Sequence, residues 1–136
     1  MITALDHIAI AVPDLEKAIK RFVEDFGLPM GGQEDVTEAR TTAAFLPLPP
    51  TSIELVHPLN GEGPIAGFLE KKGAGLHHLC FRSDDIEADV ERLKAKGYQF
   101  LSDAPSLGAH SSKVIFIHPR SCDGVLIELN QPGDDH

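Results

Sequence analysis

The sequence predicts an α+β protein made of two βαβββ modules, and three observations lead to this prediction. First, the chain repeats itself: a shift of 71 positions, from His7 to His78, aligns its two halves. Second, each half opens with an apolar run that is followed by a helical pattern. Third, short runs typical of strands complete each half. We therefore expect a mostly antiparallel sheet in a single domain over residues 1–136.

The repeat extends from the first strand of each half to the last. The aligned segments are Leu5–Ile10 with Leu76–Phe81, Asp14–Glu16 with Asp85–Glu87, Phe45–Leu46 with Phe116–Ile117 and, after a short insertion, Ile53–Leu55 with Ile127–Leu129. These matches predict a first module at about 3–60, a linker helix at about 63–73 and a second module at about 75–131.

The first module contains one predicted helix and three strands after it. Apolar residues recur at helical spacing from Leu15 to Phe26, with Asp14 placed to cap the helix and Gly27 to end it. The strands are expected near Pro29–Glu38, Thr41–Leu48 and Ser52–His57.

The second module repeats this order of elements. Its helix carries Ile86, Val90 and Leu93, with a cap among residues 83–85 and Gly97 at its end. Its later strands are expected near Gln99–Ser102, Lys113–His118 and Val125–Asn130. The linker helix begins at Pro64 and ends at Gly73.

Composition and charge exclude several classes of function. The chain has 12 Lys and Arg against 21 Asp and Glu, a formal charge of −9. Nucleic acid or an anionic membrane would require a basic surface, so neither is expected as a partner. Without a signal peptide or a long apolar stretch, and with only Cys80 and Cys122, the sequence predicts a cytoplasmic protein with reduced thiols. A mature protein of the mitochondrial matrix would look the same.

Four polar residues repeat together with the fold. His7 and His78 occupy the same place in the opening strands, and Glu54 and Glu128 the same place in the last strands. Strand alternation puts His7 on the face of Ala9, and Glu54 on the face opposite to Ile53. Each residue taken alone is better explained as a hydrogen-bonded core histidine or as a glutamate on the solvent side of its strand. Jointly, two imidazoles and two carboxylates on one concave face predict a divalent metal site with two open positions.

The remaining histidines and the acidic end are expected to say less about the function of the protein. His77 should pack or support the site, whereas His57 and His136 should be structural or solvated. His110 and His118 lie near the expected ligand region. The terminal Asp134-Asp135 is expected to be loose.

The sequence resembles the vicinal oxygen chelate (glyoxalase-like) superfamily. The segments that carry this resemblance are Asp6–Val12, Gly75–Leu79 and Gly124–Leu129. Three further segments resemble, within that superfamily, the family of epimerases that act on 2-methylmalonyl-CoA: Ile53–Leu59, Pro64–Leu69, and Gly108–His110 running into Phe116–Pro119. The resemblance covers almost the whole chain.

This resemblance implies a metal ion bound by His7, Glu54, His78 and Glu128. The ion is expected to be Co²⁺, with Mn²⁺, Ni²⁺ or Zn²⁺ (or iron) as alternatives. The implied reaction interconverts the (2R) and (2S) epimers of methylmalonyl-CoA, by metal-assisted removal of the C2 proton through an enolate. The implied assembly is a homodimer.

The same resemblance implies roles for particular side chains. Glu128 is expected to transfer a proton while also binding the metal, and Glu54 is the second catalytic candidate. Some family members carry another carboxylate on the third strand, where this chain has Ala43. The second proton is therefore left to be supplied by Glu54, His110 or a bound water. His110, Ser112 and Lys113 are expected to contact the acyl-CoA substrate.

Two other functions stay open at this point. A glyoxalase I-like isomerase of a glutathione hemithioacetal would use the same four ligands. A non-catalytic protein that binds a small molecule would use the same fold, although such proteins generally lack the complete set of ligands. The loop at Gly108–Lys113 and the Pro64–Phe68 helix favour the epimerase.

Overall fold

The computed structural model describes residues 1–133, so the predicted loose acidic end and His136 lie outside the described residues. Over these residues the chain forms eight strands and three α-helices. Their bounds are β1 Ile2–Ala11, α1 Leu15–Lys20, β2 Gly32–Val36, β3 Thr41–Leu48, β4 Thr51–Pro58, α2 Pro64–Lys72, β5 Gly75–Ser83, α3 Ile86–Ala95, β6 Ser106–Leu107, β7 Lys113–Ile117 and β8 Ile127–Gln131. Among the described helices, none is long and apolar enough to cross a lipid bilayer.

Contacts along the chain divide it into two compact units. The first unit is His7–His77, and the second consists of Met1–Asp6 together with the chain from His78 onward. Each unit contains one βαβββ module, which confirms the predicted α+β fold class. The linker helix α2 lies in the first unit. That the two modules make one domain over 1–136 stays a prediction.

The first unit is a four-stranded sheet in the order β1, β4, β3, β2. Strands β1 and β4 are parallel, whereas β4, β3 and β2 are successively antiparallel. Helix α1 starts where the Asp14 carboxylate accepts a hydrogen bond from the Lys17 amide at 3.1 Å. It continues through a π-helical turn at Arg21–Asp25, and Gly27 follows with a φ of 73°.

Both faces of this sheet are covered. Val12, Ala18 and Leu55 belong to the cluster that packs against α1. The opposite face carries a second cluster, of which Ala9, Ala11, Ala43, Val56 and the α2 residue Ile65 are the buried members. This face therefore packs small strand residues against α2, and the room above the strands that the sequence predicts for the face of His7 stays a prediction.

The second unit has the strand order β5, β8, β7, β6. Strands β5 and β8 are parallel, and β7 pairs antiparallel with both β8 and β6. Asp85 caps α3 by accepting a hydrogen bond from the Ala88 amide at 3.2 Å. The helix packs Ile86 and Val90 onto the sheet. The first residues of the chain also belong here, because the Arg82 guanidinium pairs with Asp6 at 2.8 Å.

One predicted strand of the second unit is largely absent from the described structure. The segment 99–102 makes a single bridge, between Phe100 and Ile117, and the edge strand β6 is instead the two residues Ser106–Leu107. The preceding Pro105 has no amide proton for a ladder hydrogen bond. The chain therefore pairs only briefly with β7 on either side of this proline.

Candidate functional site

The first unit brings His7 and Glu54 together. His7 Nδ1 lies 3.0 Å from Glu54 Oε2, and His7 is only 4% exposed. The two side chains reach this position because Ile10 and Ile53 turn toward the α1 cluster. The parallel ladder places Ala9 opposite Glu54, so His7, Ala9 and Glu54 share one face, as the strand alternation predicts.

The second unit brings His78 and Glu128 together in the same way. His78 Nε2 lies 2.9 Å from Glu128 Oε1, and both side chains are nearly buried. The ladder between β5 and β8 pairs Cys80 with Glu128, which puts Glu128 on the face of His78. Phe116 presents its ring to the His78 imidazole edge to face, with 5.2 Å between the ring centres. This apolar neighbour limits the access of water to the pair.

Each pair is chemically suited to a divalent ion. Two ligand atoms bound at about 2.1 Å and at right angles around one ion lie about 3.0 Å apart. The nitrogen–oxygen distances of 3.0 Å and 2.9 Å match this separation. Imidazole nitrogen and carboxylate oxygen are ligands that first-row transition metals accept. The chain thus carries potential metal-ligand groups in both units.

The predicted substrate-binding residues lie in one short segment that ends with Lys113, the first residue of β7. His110 and the next residue Ser111 have φ values of 56° and 58°, in a left-handed region that residues other than glycine rarely adopt. Ser112 is 2% exposed, and its hydroxyl donates a hydrogen bond to the Ala109 carbonyl at 2.7 Å. Lys113 is exposed and lies 3.2 Å from the Glu87 carboxylate. Contact of His110, Ser112 and Lys113 with substrate stays a prediction.

The other described histidines have structural contacts. His77 packs its ring against Phe68, with 4.9 Å between the ring centres. His57 Nδ1 lies 2.9 Å from the Val12 carbonyl. His118 Nδ1 accepts a hydrogen bond from the Arg120 amide at 3.0 Å. These contacts agree with the structural roles that the sequence predicts for His77 and His57.

The two cysteines form no disulfide in the structure. Cys80 is buried on the face of His78, which agrees with the alternation of β5. Partial burial, and to a smaller extent the Asp123 carboxylate, raise the pKa of Cys122 above its ordinary value. The Cys122 thiol is therefore protonated at neutral pH and is a weak nucleophile.

Sequence reasoning missed one buried carboxylate, Asp89 in helix α3. Asp89 has no exposed surface, and it accepts hydrogen bonds from the Ser83 hydroxyl and the Arg92 guanidinium. Burial acts to raise the pKa of Asp89, but these hydrogen bonds and the N-terminal ammonium outweigh burial and lower it. The signal that could have found it is helical spacing, because Asp89 lies three residues after Ile86 and four before Leu93, on the face of α3 that packs against the sheet.

Comparison with known proteins identifies similar chains of near-equal length. Residues 6–116 match the model of the Glyoxalase/Bleomycin resistance protein/Dioxygenase superfamily. An ethylmalonyl-CoA/methylmalonyl-CoA epimerase from Cereibacter sphaeroides is 47% identical over 133 residues, which cover 96% of this chain and 99% of that protein.

Solved structures agree with this similarity. Methylmalonyl-CoA epimerase from Mycobacterium tuberculosis superposes with a TM-score of 0.92 at 35% identity, over 97% of this chain and 89% of that one. A methylmalonyl-CoA epimerase in complex with methylmalonyl-CoA superposes with a TM-score of 0.94 at 29% identity, over 98% and 97%. The two βαβββ modules described above therefore have the vicinal oxygen chelate fold.

Proposed function

Since the chain belongs to the glyoxalase/bleomycin resistance protein/dioxygenase superfamily and to the methylmalonyl-CoA epimerases within it, we propose that it interconverts (2R)- and (2S)-methylmalonyl-CoA by metal-assisted proton transfer at C2. The family and the isomerase activity agree with the sequence prediction. The observation that carries the mechanism is the repeated pair of a buried histidine and a glutamate, one in each unit.

The chemistry of the substrate explains what such a site must supply. The C2 proton lies between a carboxylate and a thioester carbonyl, and its removal builds negative charge on their oxygens. Stabilising that charge is the largest contribution that a protein site can make to this kind of reaction. Epimerisation further requires that a proton leave one face of C2 and that another arrive on the opposite face.

His7, Glu54, His78 and Glu128 are proposed to hold one divalent ion, with Co²⁺ as the expected metal and Mn²⁺, Ni²⁺ or Zn²⁺ as alternatives. The distances within each pair and the mixed nitrogen and oxygen ligands support this assignment. When bound, the ion supplies Lewis-acid stabilisation of the charge that develops on the substrate oxygens.

The chain's own residues move the protons and hold the substrate. Glu128 is proposed to take or return the C2 proton, since its carboxylate is nearly buried beside Phe116 and away from competing water. Glu54 is the second catalytic candidate from the sequence, with His110 and a bound water as the alternatives. Lys113, with His110 and Ser112 on the same segment, is proposed to contact the acyl-CoA substrate.

The setting of the enzyme is also a proposal. We expect a homodimer in the cytoplasm, or in the mitochondrial matrix for a eukaryotic mature chain, that acts in propionate metabolism. Bacterial and mitochondrial epimerases among the relatives support the two alternative locations. Light scattering of the purified protein would test the dimer.

Proton NMR of methylmalonyl-CoA in deuterated water tests the proposed reaction. The protein is first stripped of metal and then reconstituted with Co²⁺. We expect the C2 proton signal to disappear only with the reconstituted protein. No exchange with the metal bound would refute the proposal, and turnover of a glutathione hemithioacetal in a parallel sample would then favour the glyoxalase I-like alternative. Binding of the acyl-CoA without turnover of either substrate would favour the non-catalytic alternative.

A further inference from the structure

We infer that Phe116 is a positioning residue for the His78–Glu128 pair of the second unit: its ring holds the His78 imidazole in one orientation and covers the Glu128 carboxylate. This inference rests on the proposed function, because it gives Phe116 a task only if His78 and Glu128 bind a metal ion. It adds to that function a residue that acts on the ion through its two ligands and determines how firmly the ion is retained.

The strand order places Phe116 and His78 on opposite sides of Glu128. Strand β8 lies between β7 and β5, and Glu128 is directly opposite Phe116 in one ladder and Cys80 in the other. Residues directly opposite in a ladder share one face of the sheet. His78 lies two positions before Cys80 on β5 and therefore shares that face. The side chains of Phe116, Glu128 and His78 thus project from the same face of the second unit.

The two rings meet over the strand that carries Glu128. Strands with one strand between them lie about 10 Å apart, yet the ring centres of Phe116 and His78 are only 5.2 Å apart, with their planes at 90°. Both side chains must therefore lean over β8 toward each other. The Glu128 side chain is accordingly only 9% exposed and the His78 side chain 8%.

This contact restricts the orientation of the imidazole. Perpendicular rings with centres about 4.5–7 Å apart attract each other in addition to burying their surface. In the orientation that the contact favours, His78 Nε2 lies 2.9 Å from Glu128 Oε1, a separation suited to two ligands of one ion. Because the two side chains are already ordered, binding an ion costs them little further conformational entropy.

The apolar ring of Phe116 also affects the carboxylate. Attraction between an ion and a carboxylate grows as the local dielectric constant falls. An apolar shell around a metal site limits the access of water, so that water competes less well with Glu128 as a ligand. Both effects of the ring should strengthen the binding of a divalent ion.

The first unit repeats this placement with Phe45. The shift of 71 positions aligns Phe45 with Phe116, and Phe45 lies directly opposite Glu54 in the ladder between β3 and β4. Phe45 is half-buried and packs against the cluster that includes Ala9, the residue opposite Glu54 on β1. A phenylalanine opposite the paired glutamate in each unit indicates a role that belongs to the pair rather than to either edge of the sheet.

The test measures the affinity of wild type and Phe116→Leu for Co²⁺, by competition with a chelator. Leucine keeps an apolar side chain on β7 but has no ring to pack against His78. We expect Phe116→Leu to bind Co²⁺ about 10- to 100-fold more weakly, the range found for residues that support metal ligands. The visible absorption of bound Co²⁺ should also change, because it depends on the geometry of the ligands.

Phe81→Leu is the matched control. Phe81 points to the opposite face of β5, where it packs against the cluster between the sheet and α3. Its substitution should lower the melting temperature but leave the affinity for Co²⁺ and the absorption spectrum as in wild type. Phe45→Leu extends the test to the first unit and should weaken Co²⁺ binding by a comparable factor. Should Phe116→Leu fail to fold, Phe116→Met takes its place in the same comparison.

Two results would overturn the inference. One is an affinity of Phe116→Leu for Co²⁺ within about threefold of wild type. The other is an equal loss of affinity in Phe81→Leu, which would show that metal retention follows the stability of the whole unit. Failure of the proposed function is distinct, because it concerns wild type: that protein would not bind Co²⁺, or would not exchange the C2 proton with Co²⁺ bound.

Discussion

The two units have the same central strands but different edges. Each centre is a parallel pair of strands that brings one histidine against one glutamate, at 3.0 Å in the first unit and 2.9 Å in the second. At the edge, β2 pairs with β3 through five residues, whereas β6 has only two residues. An edge strand makes ladder hydrogen bonds on one side only. Shortening an edge strand therefore removes fewer hydrogen bonds from the sheet than shortening a central strand.

The two edges also differ in their backbone. Along β2 a regular ladder fixes the direction of each side chain at the edge of the first unit. The second unit replaces most of this ladder with a segment in which His110 and Ser111 adopt left-handed conformations. Such strained backbone clusters at functional sites. We interpret the centres as the part required for the shared chemistry and the edge of the second unit as the part specialised for the substrate.

The largest expected effect comes from Glu128→Ala. This substitution removes both a metal ligand and a proton-transfer group, so exchange of the C2 proton with deuterium should be abolished for both epimers, by at least about 10³-fold. NMR of each epimer measures this loss, and circular dichroism checks that the fold is intact. Glu91→Ala, at an exposed position of α3, is the control. A fully active Glu128→Ala enzyme would remove Glu128 from the mechanism.

The second largest expected effect is on metal retention, and it tests whether the two histidine–glutamate pairs are equivalent. His7→Ala and His78→Ala should each weaken metal retention by more than about tenfold, since changes even beyond the direct ligands cost this much. Metal content after dialysis, determined by atomic spectroscopy, gives a readout that does not depend on activity. His118→Ala is the matched control. Normal metal stoichiometry in both variants would disprove the four-ligand site.

A smaller effect concerns the buried carboxylate that only the second unit carries. Asp89→Ala leaves the Ser83 hydroxyl and the Arg92 guanidinium without their acceptor, so we expect a loss of about 3 kcal/mol in the free energy of unfolding at pH 7. Denaturant unfolding measures it, and Asp103→Ala in the exposed segment after α3 is the control. A loss below about 0.5 kcal/mol would contradict this assignment.

The pH dependence of this effect has a defined sign. The pKa of Asp89 is lower in the folded chain than the ordinary value of 3.8. Its stabilising contribution is therefore present above that value and is lost as the pH falls through the folded pKa. The difference in stability between wild type and Asp89→Ala should narrow as the pH falls below the ordinary value of 3.8, and a constant difference would show that ionisation of Asp89 is not involved.

The smallest expected effect is on substrate affinity at the edge of the second unit. Lys113→Gln should raise the KM for methylmalonyl-CoA a few-fold with kcat unchanged, because an exposed cation contributes mainly to binding a charged substrate. Its surface ion pair with Glu87 should contribute less than about 1 kcal/mol to stability. Lys96→Gln is the control. An unchanged KM, determined at low ionic strength, would contradict contact of Lys113 with the substrate.

Much of the centre could be predicted from the sequence, but the edges could not. Alternation around His7 and His78 indicates their faces, because side-chain direction in a strand depends only on the parity of position. The strand expected at 99–102 was wrong because a few apolar residues near a proline do not determine pairing. The side-chain directions along β2 depend on its register with β3, and local patterns do not encode register between strands joined by a loop.

The duplication, the α+β class and the four polar residues that recur with it can be recognised from the amino-acid order, since repetition and alternation are properties of the chain alone. Which groups meet depends on the folded arrangement. It sets the parallel ladder that puts Ala9 opposite Glu54 and the burial of Asp89 against Ser83. The ladder joins strands far apart in the chain, and the burial of Asp89 requires α3 to pack on its sheet, so burial and hydrogen bonding of many groups together select one arrangement.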